Sequence, residues 1–188
     1  MKDYVLFTDS ATDLSVELIQ QMQVEVVPLS VTVAGKEYKN YPDNRDISPK
    51  EFYDLLRSGQ MATTSQVNQA DWAEAFESAL KEGKDVLCLA FSSGLSGTCQ
   101  AAVLAAEELR EKYPQNTIEV VDTLQASMGE GLVVYHAARL KQQGYTLPQL
   151  ARWLEENKQS ICAWFTVDDL MFLKRGGRLS GAAALAGT

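Results

Sequence analysis

Three short polar turns each follow an apolar run, and they hold most of the residues in this chain whose chemistry suits ligand contact. They are Thr8-Asp9-Ser10, Ser92-Ser93-Gly94-Leu95-Ser96-Gly97-Thr98 and Asp122-Thr123. The second is the richest. Its hydroxyls, its glycines and the start of an alanine-rich helix together supply side-chain donors and free backbone N–H groups suited to an anion. A helix cap needs one hydroxyl, and this loop offers four, so a ligand site accounts for the surplus. Ser93 and Gly94 are the leading candidates, with Ser10 on the first turn. A further hydroxyl group, Thr63-Thr64-Ser65-Gln66, reads as a loop between two helices. Capping of the following helix explains Thr64 and Ser65 there as well as ligand binding does.

Catalytic machinery is sparse. The sole histidine, His136, falls on one helical stripe with Leu132 and Leu140, which marks it as a core or half-buried residue rather than a base beside a serine. Gly94-Leu95-Ser96-Gly97-Thr98 lacks the second glycine of a nucleophile elbow. There is no GxxxxGK[ST] loop and no GxGxxG fingerprint. No cofactor is expected. Cys88, Cys99 and Cys162 form no CxxC pair; their odd number, in apolar surroundings, fits free thiols and argues against a metal site. The net charge of −8 argues against nucleic acid, which requires a basic face.

These turns need a frame, and the hydropathy pattern gives one. Residues 4–8 read as a strand, and Leu14, Leu18, Ile19 and Met22 recur at helical spacing. Val24 to Val33 is a β-rich stretch broken by Pro28, and a polar excursion begins at Gly35. Ser48-Pro49-Lys50-Glu51 opens a helix ending at Gly59. Further helices are expected over 70–81, 99–112 and 128–143, and after the Thr146-Leu-Pro-Gln149 cap; strands are expected over 86–91, 118–122 and 161–165. This alternation implies an α/β fold with a mostly parallel sheet covered by helices on both faces, its ligands bound at the carboxyl ends of the strands. With 188 residues, 46% of them hydrophobic, one full domain over 1–158 and the beginning of an incomplete second over 159–188 are expected. No apolar run reaches the length of a membrane span, so no stable membrane insertion is expected. Without a signal-like N-terminus the chain reads as cytoplasmic, and its small apolar end, Gly181 to Thr188, reads as a truncation.

The last concentrated signal is Asp168-Asp169-Leu-Met-Phe-Leu-Lys-Arg-Gly-Gly-Arg178. Lys174 and Arg175 complement a helix C-terminus, with Gly176 as its left-handed cap. Gly177-Arg178 is left over, and its guanidinium suits a carboxylate or phosphate.

Thr8-Asp9-Ser10-Ala-Thr-Asp13-Leu14, Thr64-Ser65-Gln66, Ser92-Ser93-Gly-Leu-Ser-Gly-Thr98, Val121-Asp122-Thr123 and Phe165 to Leu170 through Gly176-Gly177-Arg178-Leu179-Ser180 together resemble the DegV family. The blocks occur in that family's order and cover nearly the whole chain. The resemblance implies two α/β domains with a long-chain fatty acid between them, its carboxyl group meeting Thr64, Ser65 and Ser93. It also implies a binding subunit rather than an enzyme, which presents the carboxyl group to a separate ATP-binding fatty acid kinase protein. That partner makes an acyl phosphate for phospholipid synthesis, and Lys174, Arg175 and Arg178 help it dock. The chain departs from the pattern at Val67-Asn68, where the family usually has Pro-Ser, and it ends well before the family's usual length. The competing readings are a serine-dependent hydrolase or acyltransferase using Ser93, and a non-functional truncated remnant.

Overall fold

The structure, a computed structural model, describes residues 2–164, 166 and 170–179. The first strand, β1 (Tyr4–Asp9), runs into a short 3₁₀ turn and α1 (Val16–Met22), which Ser15 caps by accepting the Leu18 amide. The chain returns through β2 (Val24–Val27). Later come α3 (Gln69–Lys81), β6 (Asp85–Ala90), α4 (Thr98–Lys112), β7 (Ile118–Asp122), α5 (Met128–Gln142) and α6 (Leu147–Asn157). The four strands form a wholly parallel sheet in the order β2-β1-β6-β7.

Helices cover both faces, as the alternation of β6 requires. Val86, Cys88 and Ala90 pack with Trp72 and Phe76 of α3 and Ala102, Ala105 and Leu109 of α4. Leu87 and Leu89 point the other way, against Val133, Val134 and Ala137 of α5 and Leu150 and Leu154 of α6. Small residues on α4 and α5 let both helices lie close to the sheet. His136 is half-buried on α5 between Tyr135 and Trp153, as its stripe predicts.

Between β2 and α3 the chain departs from the expected alternation. Pro28 does end β2, but β3 (Ser30–Val33) and β4 (Lys36–Lys39) then form a hairpin around Ala34-Gly35. Both turn residues have positive φ, at 52° and 74°, where glycine is unstrained. The polar excursion after Gly35 is therefore a strand. After α2 (Pro49–Arg57), Ala62–Ser65 forms β5 on the other side of β3. Thr64 and Ser65 are thus strand residues, correcting the loop expected there. They were missed because β5 is mostly exposed and lacks an apolar run, so its ladder to β3 supplies the order that composition does not. The sheet in the order β4-β3-β5 is antiparallel.

The expected strand over 161–165 does not form at 161–164, and Phe165 lies outside the described residues. The 161–164 segment instead crosses α5, with Gln125 Nε2 donating to the Ile161 carbonyl at 3.0 Å and Ala163 seated against Gly129. Asp168, Asp169 and Ser180 to Thr188 also lie outside the described residues.

Candidate functional site at the carboxyl edge

In the order β2-β1-β6-β7 the chain moves outward in one direction from β1 to β2 and in the other from β1 to β6. The turns after β1 and β6 therefore flank a topological switch point, where helices diverge to opposite faces and leave a crevice. Ser10, Ser93 and Asp122 follow β1, β6 and β7, and so share the carboxyl edge of the parallel sheet, as expected.

Side-chain acceptors lock these turns together. Asp9 Oδ1 accepts the Ala11 amide at 3.0 Å, and its Oδ2 reaches across to the Phe91 amide at 2.9 Å. Asp122 Oδ1 accepts from the Ser93 amide at 3.2 Å and the Leu124 amide at 3.0 Å. Thr123 Oγ1 donates to the Ala90 carbonyl at 2.8 Å, and the Ser92 amide donates to the Gln125 carbonyl at 3.0 Å. Each strand's last residues thus hold its neighbour's turn, which fixes the Ser93 backbone from both sides.

The four hydroxyls of the serine-rich loop divide unequally. Ser92 Oγ accepts the Gly94 amide, and Ser96 Oγ accepts the Thr98 amide while pairing with Thr98 Oγ1 at 2.9 Å. Local turn chemistry therefore absorbs three of the four. Ser93 is exposed, and its hydroxyl makes no hydrogen bond among the described residues. Gly94 is exposed beside it, and its amide is spent on Ser92.

The strand β5 ends at this loop. Gly97 lies under the Gln66 side chain so closely that a Cβ there would clash with Gln66 Oε1. This contact brings Thr64-Ser65-Gln66 beside Ser92–Thr98. Val67 is fully buried with Trp72 and Phe76, and Asn68 Oδ1 caps α3 by accepting the Asp71 amide at 2.9 Å. The departure at Val67-Asn68 therefore gives a core anchor followed by a helix cap. Ser10 ties the small sheet down as well: its Oγ accepts from the Leu29 amide at 3.0 Å and from Asn40 Nδ2 at 3.2 Å. Ser10 is buried, so its hydroxyl works as a pin between the sheets.

The basic segment is a Schellman cap. α7 (Leu170–Arg175) ends with the Arg178 amide donating to the Leu173 carbonyl at 2.9 Å and the Gly177 amide to the Lys174 carbonyl at 3.0 Å. Gly177, at φ 74°, is the left-handed residue in place of Gly176. This accounts for the second glycine. Lys174, Arg175 and Arg178 are exposed, and Arg178 Nη1 donates to the Gly176 carbonyl at 2.6 Å.

A buried acid was not legible. Glu130, in the first turn of α5, is fully buried beside Asp9. Burial first, and then the Asp9 charge, push its carboxyl up to about 10. Burial raises Asp9 to about 6 against the pull of its two backbone N–H bonds. Gly131 permits this approach, since a Cβ there would stand 2.9 Å from the Thr12 carbonyl oxygen. A glutamate one residue before a glycine inside a helical pattern was the available signal.

Burial also raises the Cys88 thiol well above its ordinary value. Cys88 and Cys99 are buried, whereas Cys162 is exposed, correcting the expectation of apolar surroundings for all three. No group of acidic, histidine or cysteine side chains among the described residues is arranged to hold a metal ion. No helix among them is long and apolar enough to cross a membrane.

A family model described as "Uncharacterised protein, DegV family" matches residues 4–188. A DegV domain-containing protein of Clostridium perfringens is 46% identical over the whole chain, and one of Caldanaerobacter subterraneus is 36% identical. The chain spans 64% of the length of each. Among solved structures, a DegV family protein of Thermus thermophilus described by its fatty acid binding is 38% identical, with a TM-score of 0.84. It matches 100% of this chain, which covers 64% of it. DegV of Bacillus subtilis, a fatty acid binding protein, is 30% identical with a TM-score of 0.84 over 100% of this chain and 65% of its own.

Proposed function

The chain belongs to the DegV family, and on that premise we propose that it holds a long-chain fatty acid with the carboxyl group at Ser93, Thr64 and Ser65. The observation that carries this reading is the seat of Gln66 on Gly97, which sets the end of β5 beside the loop bearing the unpaired Ser93 hydroxyl. The fatty-acid binding described for the Thermus thermophilus and Bacillus subtilis relatives supports the ligand class. Exposed Leu95, Leu124 and Met128 on the surrounding turns give an alkyl tail apolar surface to meet. Burying about fifteen methylenes at about 0.8 kcal/mol each gives a gross drive on the order of 12 kcal/mol before ordering costs. The tail supplies affinity, and the hydroxyls orient the head group.

In this reading the protein is a cytoplasmic binding subunit without a cofactor. A separate ATP-binding kinase phosphorylates the presented carboxyl group, and exposed Lys174, Arg175 and Arg178 contribute to its docking. Residues 159–188 begin a second domain. A serine hydrolase is disfavoured by His136, which lies about 12 Å along α5 from the end of that helix at the carboxyl edge and is packed between Tyr135 and Trp153.

The test is Ser93→Ala. The variant should stay folded and retain fatty acid by native mass spectrometry, while phosphorylation by the kinase falls on the order of a hundredfold through misplacement of the reacting group. Stoichiometric labelling of Ser93 by a serine-directed phosphonate would instead make it a nucleophile and overturn the carrier reading.

A further inference from the structure

The buried acids are not among the candidate site residues, yet Asp9 holds both turns that flank the switch point. What remains is why a second carboxyl group is buried against it. Thr8 Oγ1 has one proton and two acceptors in reach, the Leu89 carbonyl at 2.8 Å and Glu130 Oε1 at 3.3 Å. The shorter bond takes that proton, so Glu130 meets the Thr8 oxygen as a donor or without a hydrogen bond. Glu130 Oε2 is buried with no donor directed at it among the described residues. A fully buried carboxylate left in that state is costly, whereas a neutral acid beside a carboxylate that accepts its proton is not. Asp9, whose side chain bonds that of Glu130, is that acceptor, because two backbone amides already stabilise its charge and Glu130 has none among the described residues.

We propose that Glu130 and Asp9 share one proton, and that the singly charged pair is the positioning element that holds the turn after β1 and the Phe91-Ser93 turn at fixed separation. The groups around it favour a single negative charge. Asp13, in the turn after β1, adds repulsion on Glu130, and burial keeps the Cys88 thiol, on the α3 and α4 face of β6, neutral. Glu17 of α1 and Arg152, Glu155 and Glu156 of α6 are exposed, and Lys158 is ion-paired with Glu155. A second ionisation would put two adjacent negative charges in the core, and the Asp9 bond to the Phe91 amide would be the first casualty.

This inference stands apart from the identity of the ligand, and its test uses the protein alone. With carbon-13 in the glutamate side-chain carboxyls, one resonance should keep the protonated shift at neutral pH, titrate only in the alkaline range and vanish in Glu130→Gln. In the same samples Glu130→Gln, a neutral donor of nearly the same shape, should leave hydrogen exchange of the Phe91 and Ala11 amides within about twofold of wild type. Glu130→Ala, which leaves Asp9 without its donor, should speed both by about tenfold or more. A Glu130 resonance titrating near the ordinary glutamate value would overturn the shared proton. Rapid exchange at Phe91 in Glu130→Gln would overturn the positioning role, and that variant suffices should Glu130→Ala not fold.

Discussion

Every residue of β6 is buried, whereas three of the four residues of β5 are exposed, and the sheets to which they belong meet where Gln66 lies over Gly97. The parallel sheet is a scaffold whose strands are fixed by packing on two faces. The antiparallel sheet is fixed mainly by its ladder, by the Ser10 bonds to Leu29 and Asn40, and by the exchange between Lys39 and Asp71 of α3 at 3.1 Å. One supplies rigidity and the other supplies exposed hydroxyls. A site assembled from both can present Thr64 and Ser65 to solvent while the Ser93 amide is held by Asp122 at the end of β7.

If that division is right, perturbing the scaffold should cost stability, and perturbing the small sheet should cost function. The largest effect is expected for Trp72→Ala, which empties a fully buried volume and leaves the Thr98 carbonyl without its indole donor. A loss of about 3–5 kcal/mol in denaturant unfolding is expected. A loss below about 1 kcal/mol would mean that α3 is not part of the scaffold.

The next effect is a pH dependence. The folded Glu130 carboxyl titrates at about 10 and the unfolded one at 4.5, so between these values the native state keeps a proton that the unfolded state has released. Stability is therefore fully present below the unfolded value and falls as pH rises toward 10, with a slope of at most about 1.4 kcal/mol per pH unit from this group. Asp9 adds the same sign between 3.8 and about 6. Thermal midpoints measured against pH should fall across this window in wild type and flatten in Glu130→Gln. Parallel curves for the two proteins would remove Glu130 from the account.

Gly97→Ala sharpens the comparison, because the obstructing atoms belong to the end of the flexible Gln66 side chain. Stability should change by less than about 0.5 kcal/mol, while phosphorylation of bound fatty acid falls as the Gln66 side chain is pushed off the Ser93 loop. A proportionate loss of both would make the contact merely structural. The smallest stability effect is expected for Arg178→Ala, at an exposed helix end whose side chain bonds the Gly176 carbonyl. Fatty acid retention should be unchanged in native mass spectra and kinase coupling weakened; equal loss of both would place Arg178 in the pocket.

The same contrast explains what the sequence disclosed. The central strands β1 and β6 are buried on both faces, so they read as short apolar runs between capped helices, and the switch-point turns followed from them. Ser93 could be singled out from its loop, although only the hydrogen bonds show that Ser92, Ser96 and Thr98 are spent locally. Thr63 to Ser65 has no apolar run to mark a strand, and the pairing that orders it joins residues more than thirty positions apart. Glu130 was illegible because helical periodicity places a residue on a face without telling that a carboxyl there meets another across the core. The Ile161–Phe165 run reads as a strand by composition, yet over 161–164 it finds no ladder partner.

The most direct test of the joint site is amide NMR of nitrogen-15-labelled protein titrated with a long-chain fatty acid. Ser65 and Gln66 at the end of β5 should shift together with Ser93 and Gly94 after β6, all four following one saturation curve. Shifts confined to one of these segments, or absent from both, would contradict a carboxyl group held between the two sheets.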